Sequence, residues 1–504
     1  MLLALVGVVL LAALVLLWAI LPPAPLALPP RGVVLANVTV INPGRDRSTG
    51  RTLRIAGDRI ESIDAAAAGG GADARFSGVY LIPGLIDMHV HFPPDTGLRQ
   101  TELFAFLFLD HGVTTVRDAG DVDGTATAPA RDGIRSGVFP GPRIFACGPL
   151  VDGPEPIWKN SLLVGEPGQA AAAVAKIAEG GFDCVKVYDE LTPESLAAVQ
   201  RAAAEKGLPV IGHVPRRVPF EVAHLDDVQH LTGVATPAGG DLRPFPKNMV
   251  AWGLVDDARM DFIVETSKRL GIAHTPTLVA GERLRAMQDY ASLRESPDAK
   301  LLPRFYRDVI WSPSEGLPVL RRLEAEDFPV LRDAGERGLR LVQRLHAAGV
   351  RIFAGSDTQN PFVVPGASLQ RELRLLVKAG LTPEQALAAA TTLPGEFLRL
   401  PGLGRLEPGA PADLLVLRAD PTQSLDALDS LEAVIADGRL YTRSQLDSQL
   451  ARYRDHSEGS LYDALSVVLV RRALARIFDW EDPRCSPRST PRGGCSTSGA
   501  RASC

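Results

Sequence analysis

The sequence predicts an α/β fold: a closed (β/α)8 TIM barrel with a small β-sandwich built from both chain ends, plus an N-terminal transmembrane segment. Three observations lead there. Between residues 81 and 400 short apolar stretches alternate with helical ones, the rhythm of a parallel sheet with crossover helices. Eight of the short stretches are strand candidates, the number that closes a barrel. Segments of alternating apolar residues broken by Gly, Asn and Asp flank this region on both sides. An open doubly wound sheet is the rival, but no GxGxxG or P-loop marks a nucleotide crevice.

The chain begins with MLLALVGVVLLAALVLLWAIL, apolar throughout and without a charge before Arg31. That exceeds the roughly 18 residues expected of a membrane-spanning helix. Residues 1–30 are therefore expected to be an anchor, with the body outside the cytoplasm (periplasmic). A cleaved signal segment and a secreted body form the alternative. Residues 31–80 and 401–445 carry the β-rich segments, VVLANVTVI and RTLRIAGDRIESI on one side and ADLLVLRAD and EAVIADGRLY on the other. Residues 81–400 hold the barrel, with strand candidates LIDMHVHF, VTTVRDAG, PRIFACGP, CVKVYDE, PVIGHVP, DVQHLTG, IAHTPTLV and RIFAGSD. Helices such as PESLAAVQRAAAEKG end in Gly, as helix C-termini prefer.

Residues 281–340 break this rhythm and look helical, an insertion that either overhangs the barrel mouth or adds packing. Residues 446–504 read as a helical extension and a Ser-, Gly-, Pro- and Arg-rich disordered tail. The extension, LYDALSVVLVRRALARIF, is suited to pack on the barrel, join subunits in a homo-oligomer or lie on a membrane. The net charge of -5 arises without acidic or basic blocks, which argues against nucleic acid as a partner. Five cysteines without a CxxC pair give no expectation of a cysteine zinc site or a disulfide framework, and Cys184 reads as a core residue.

In this fold the C-terminal strand ends converge on one face, where chemistry is placed. The polar residues at those ends are His89 and His91, Lys186, His213, His230 and Asp357. Strand alternation puts His89, His91 and Asp87 on one face and sends Ile86, Met88 and Val90 outward to the helices. Each histidine alone is as readily a packed core residue; together, imidazoles and a carboxylate suit zinc and its neighbours. Lys186, between Val185 and Val187, points into the barrel, where an unpaired ammonium is costly. Tyr188 shares its face nearer the mouth and serves either as a substrate contact or as a core tyrosine. His274, in the seventh strand, is a further candidate for substrate contact. Gln229, adjacent to His230, is expected to point away from the site.

The motifs PGLIDMHVHF, GVTTVRDAG, FDCVKVY, IGHV, QHLTG, AGSD, LTPEQALAAATTLPGEFL and GRLEPGAPADLLVL resemble, in order and spacing, those of the amidohydrolase superfamily of metal-dependent hydrolases. The resemblance spans residues 31–442 and is nearest the imidazolonepropionase-like and Xaa-Pro dipeptidase-like branch. It implies that His89, His91 and Asp357 hold one divalent metal ion and His213 and His230 a second, zinc being expected. Lys186, carboxylated by CO2, would bridge the two. It implies hydrolysis of a carbon–nitrogen bond in an amide, dipeptide or cyclic amide by a hydroxide shared between the metals, with Asp357 as general base and acid. Ester or lactone hydrolysis, a mononuclear deaminase or imidazolonepropionase, and an inactive membrane-tethered metal-binding protein are the alternatives. Many relatives carry Glu where this chain has Gln229.

Overall fold

The computed structural model describes Val6 and residues 20–65, 73–94, 98–158, 160–235 and 247–478. The expected anchor lies mostly, and the expected tail from residue 479 wholly, outside these residues. Among the described residues no helix is long and apolar enough to cross a membrane.

The barrel wall runs through Leu85–Val90, Val113–Asp118, Arg143–Ala146, Val185–Val187, Val210–Gly212, Asp227–Gln229 and Ala273–Thr275. Successive staves pair in parallel. Between the third and fourth, Asp183 N donates to Ala146 O at 2.6 Å, and Val151–Asp152 continues the third stave beside Val187. The predicted eighth strand, RIFAGSD, is shorter than expected: only Ile352 forms a bridge, to His274. Its backbone still closes the ring, because Met88 N donates to Ala354 O (2.9 Å) and Asp357 N to His89 O (2.7 Å). The cause is local. A Cβ at Gly355 would lie 2.5 Å from Thr275 Cγ2 and 3.0 Å from His89 Cβ, and Asp357 turns left-handed at φ 62°.

The helices cover this wall by their apolar stripes. In Pro193–Glu205 the Thr192 side chain accepts from Ser195 N, Pro193 opens the first turn, and Leu196, Val199 and Ala203 line the buried face. Full burial of Leu196 and Val199 stabilises by roughly 1.5–3 kcal/mol each.

Both chain ends build the small β-unit, as expected, but as one seven-stranded sheet rather than two facing ones. Its order is Arg439–Thr442, Leu431–Ala436, Leu414–Leu417, Tyr80–Pro83, Val33–Asn42, Asp46–Ala56, Arg59–Ala65. The sheet curls round Leu35, Leu53, Ile60, Phe76, Leu81, Leu414 and Ile435, and bridges from Arg59 to Pro411 and Arg31 to Arg439 draw its edges in. Tyr80–Pro83 passes through Gly84 straight into the first barrel strand; a Cβ on Gly84 would meet Thr114 Oγ1 at 2.0 Å.

Three expectations fail here. Cys147 and Cys184 form a disulfide, because the third and fourth staves bring them side by side across 37 residues of sequence. They pack with Ile211 and Phe397. Ile86 and Met88 do not face the helices; they join Ala273, Phe353 and Leu403 at the foot of the barrel. Asp87 does not share the histidines' surroundings, since its carboxylate accepts from Ser356 N (2.9 Å) and Ser356 Oγ (2.6 Å). The reason for both is a register shift against the second strand between Asp87 and Val90, which breaks simple alternation before His89.

The insertion packs firmly. Its Trp311 is fully buried, stacks 4.9 Å from Phe362, and donates its indole N–H to Gln359 O at 3.3 Å, on the loop that follows Asp357. Of the roles open to the C-terminal extension, packing on the barrel is observed. Arg443–Ser457 and Ser460–Phe478 lie against Gln100–Asp110 and Tyr306–Ile310, and Tyr462, Ser466, Val470 and Leu474 are buried at four-residue spacing.

Candidate metal centre

His89 and His91 stand at the end of the first stave, and the left-handed turn at Asp357 brings its carboxylate over them. The Asp357 Oδ1 atom lies 3.4 Å from His89 Nε2 and 3.5 Å from His91 Nε2. One ligand atom from each of these three residues falls within 4.8 Å of the others. His230 turns left-handed at φ 58° directly after the sixth stave, which puts its ring 4.4 Å from that of His89 and 5.1 Å from that of His213. Lys186 is 1% exposed and has no hydrogen bond or ion pair among the described residues. All six residues named from the sequence therefore meet in one place.

Each imidazole is held at Nδ1. His91 donates to Gly120 O (2.8 Å), His213 to Asp189 Oδ1 (2.7 Å) and His89 to Gln229 Oε1, which leaves Nε2 of these three as a lone pair. His230 Nδ1 meets Thr277 Oγ1 at 2.7 Å and lies 3.4 Å from Asp357 Oδ2. Charge is arranged to match. Burial pushes His230 down to about 3 and lowers His89 and His213, so these rings are neutral at neutral pH. Burial works against charging His91 and against ionising Asp357, but their mutual attraction wins: His91 is raised and Asp357 lowered, the latter aided by His230 and Lys186. Burial brings the Lys186 amine down to about 7. Burial also opposes ionisation of Asp189, yet His213 and Arg216 hold it down to about 2. Neutral imidazoles at His89, His213 and His230 and an ionised carboxylate at Asp357 fit divalent cations.

Residues 80–441 match the sequence profile of the Amidohydrolase family. The chain belongs to the amidohydrolase family. It is a hydrolase of carbon–nitrogen bonds, in a family that uses divalent metals. The dihydroorotase of Syntrophotalea carbinolica is 25% identical over 363 residues, covering 69% of this chain and 80% of that one. Among solved structures, bottromycin amidohydrolase superposes with a TM-score of 0.67 at 24% identity, over 86% of this chain and 92% of that one. A Xaa-Pro dipeptidase with bound methionine superposes with a TM-score of 0.61 at 22% identity, over 82% and 100%.

Two expectations for this amidohydrolase need correction. His274 does not face the mouth: its Nε2 meets Ser267 Oγ at 2.9 Å on the outer helix Asp257–Leu270, and Phe220 packs beside it. It is a buried packing residue. Gln229 does not point away; it stands inside the barrel against His89, and it is His230 that departs from alternation. Tyr188 does lie at the mouth, its ring 4.3 Å from that of His213 and its hydroxyl hydrogen-bonded by Trp158. The supporting residues Asp189, Thr277 and Gln229 were missed. Asp189, the residue after Tyr188 in VKVYDE, met the criterion of a polar group at a stave end. Thr277 carried no such mark.

Proposed function

We propose that this amidohydrolase hydrolyses an amide, dipeptide or cyclic amide bond with two divalent metal ions, one held by His89, His91 and Asp357 and one by His213 and His230. Zinc is the expected metal. The observation that carries the reading is Lys186, buried and without a hydrogen bond or ion pair among the described residues, amid four imidazoles and an ionised carboxylate. A neutral amine, accessible for a group titrating near 7, adds to CO2 through its nitrogen lone pair and releases one proton, leaving an anionic carbamate able to bridge two cations. Bound at this site, divalent cations supply Lewis acidity and a water acidic enough to attack near neutral pH. The ionised Asp357 carboxylate would accept a proton from the attacking water and return it to the leaving nitrogen. The Tyr188 hydroxyl, accepting from Trp158, keeps its own O–H to donate to a substrate carbonyl or carboxylate.

Lys186→Met decides the matter when metal content and turnover of a panel of dipeptides, cyclic amides and lactones are measured together. Loss of metal and of amide turnover is expected; two retained metals with full activity would sink the reading, and turnover of lactones alone would replace amide by ester chemistry. The apolar run at residues 1–21 and the Cys147–Cys184 disulfide together support attachment to a membrane with the body in an oxidising, extracytoplasmic compartment. Fractionation with thiol alkylation before lysis tests this: soluble protein with both thiols free contradicts it.

A further inference from the structure

The support behind His89 differs in kind from the other three. A carbonyl, a carboxylate and a threonine hydroxyl each offer an oxygen where it is needed. Gln229 offers an amide, whose oxygen and nitrogen ends are interchangeable in shape, and only one end accepts a proton from His89 Nδ1. Something must decide which way it faces.

The deciding group lies one layer deeper. Gln229 Nε2 is 2.6 Å from Asp227 Oδ2, and the same oxygen accepts from Thr275 Oγ1 at 2.7 Å and from the Arg117 guanidinium. Arg117 is itself anchored, its Nε donating to Met88 O at 2.8 Å. Asp227, Gln229, Thr275 and His89 are all 0% exposed and Arg117 1%, so no bulk water competes for these bonds. Asp227 Oδ2 is the acceptor in every one of these bonds. An amide oxygen turned toward it would set acceptor against acceptor in a dry interior, so the nitrogen must face Asp227 and the oxygen His89.

We propose that Gln229 is a positioning residue for the metal site: the buried Arg117–Asp227 pair fixes its amide orientation, and that orientation fixes His89 as the tautomer whose Nε2 lone pair faces the metal. This rests on the reading that His89 is a ligand. A second carboxylate 2.6 Å from Asp227 would confront like charge without water, whereas an amide gives Asp227 a donor and His89 an acceptor. Gln229 and Asp227 are thus a matched pair.

The test titrates the metal-free full chain with Zn2+ against a chromophoric chelator and follows the His89 Nδ1–H resonance. Gln229→Leu is expected to bind about 10–100-fold more weakly and to lose the resonance. In the wild-type chain the 15N shifts of His89 are expected to report the Nδ1–H tautomer before any metal is added. Wild-type affinity in a folded Gln229→Leu chain overturns the inference, and so does an Nε2–H tautomer of His89 in the metal-free wild type. If Gln229→Leu does not fold, the tautomer measurement alone decides. A wild-type chain that binds no metal refutes the proposed function instead.

Discussion

The two ends of the barrel interior are built from the same staves and do opposite things. At the mouth, His89, His91, His213, His230 and Asp357 crowd together with polar groups beside them, and Lys186 is buried without a hydrogen bond or ion pair among the described residues. At the foot, Ile86, Met88, Ala273, Phe353 and Phe397 close on the Cys147–Cys184 disulfide. Lys186 is two residues beyond Cys184 on the same stave, so the change from covalent packing to chemistry takes one rung. The lesson is that one end holds its shape so that the other can hold charges out of water.

If this division is right, variants at the mouth change metal binding and catalysis while variants at the foot change stability. The largest effect is expected for Asp357→Asn, which keeps the shape but removes the proton acceptor and should lower kcat about 10²–10⁴-fold. Steady-state kinetics at saturating metal measure it. Next comes the foot. Replacing Cys147 and Cys184 by serine opens a link spanning 37 residues and should cost roughly 3–4 kcal/mol in chemical denaturation. Activity per folded molecule should stay within a factor of two or so; a collapse of turnover in protein that remains folded would erase the division. Asp189→Asn comes third, weakening metal affinity about 10–100-fold by releasing the His213 ring, as competition titration would show.

The smallest effect is on pH. Asp189 is held down to about 2 from its usual 3.8, so in the folded state it stays ionised where the unfolded chain has taken up a proton. Its contribution is therefore complete above about pH 4 and fades as pH falls toward 2, on the order of 2 kcal/mol in all. Acid unfolding of the metal-free chain should begin at higher pH in Asp189→Asn than in wild type; identical curves would show that the foot alone sets acid stability.

Much of the mouth was legible because its polar residues sit in short motifs at stave ends, where residue type and place coincide: HVH, VKVY, IGHV, QHL and AGSD. What was not legible depends on neighbours that no local pattern encodes. Cys147 and Cys184 meet only because two staves lie side by side, and no spacing rule foretells that. Period-two reasoning placed His89 and His91 correctly but misplaced Ile86, Met88 and Gln229, because register shifts and left-handed turns fall at the very positions that carry ligands. His274 looked like a stave-end candidate and proved to face the helix layer, one residue out of phase with Thr275.

The sheet that joins the two chain ends also imposes an order in time. Strands from residues 33–65 and 80–83 leave the ribosome first and present Tyr80–Pro83 as an open edge until Leu414–Leu417 is made to cover it. The whole barrel is synthesised in that interval, and its first ligand strand is already tethered to the waiting edge through Gly84. Synthesis therefore supplies every residue of the barrel ring, Asp357 included, before the strand that covers this edge exists, so a chain halted between Asp357 and Leu414 would leave the Tyr80–Pro83 edge open to its neighbours.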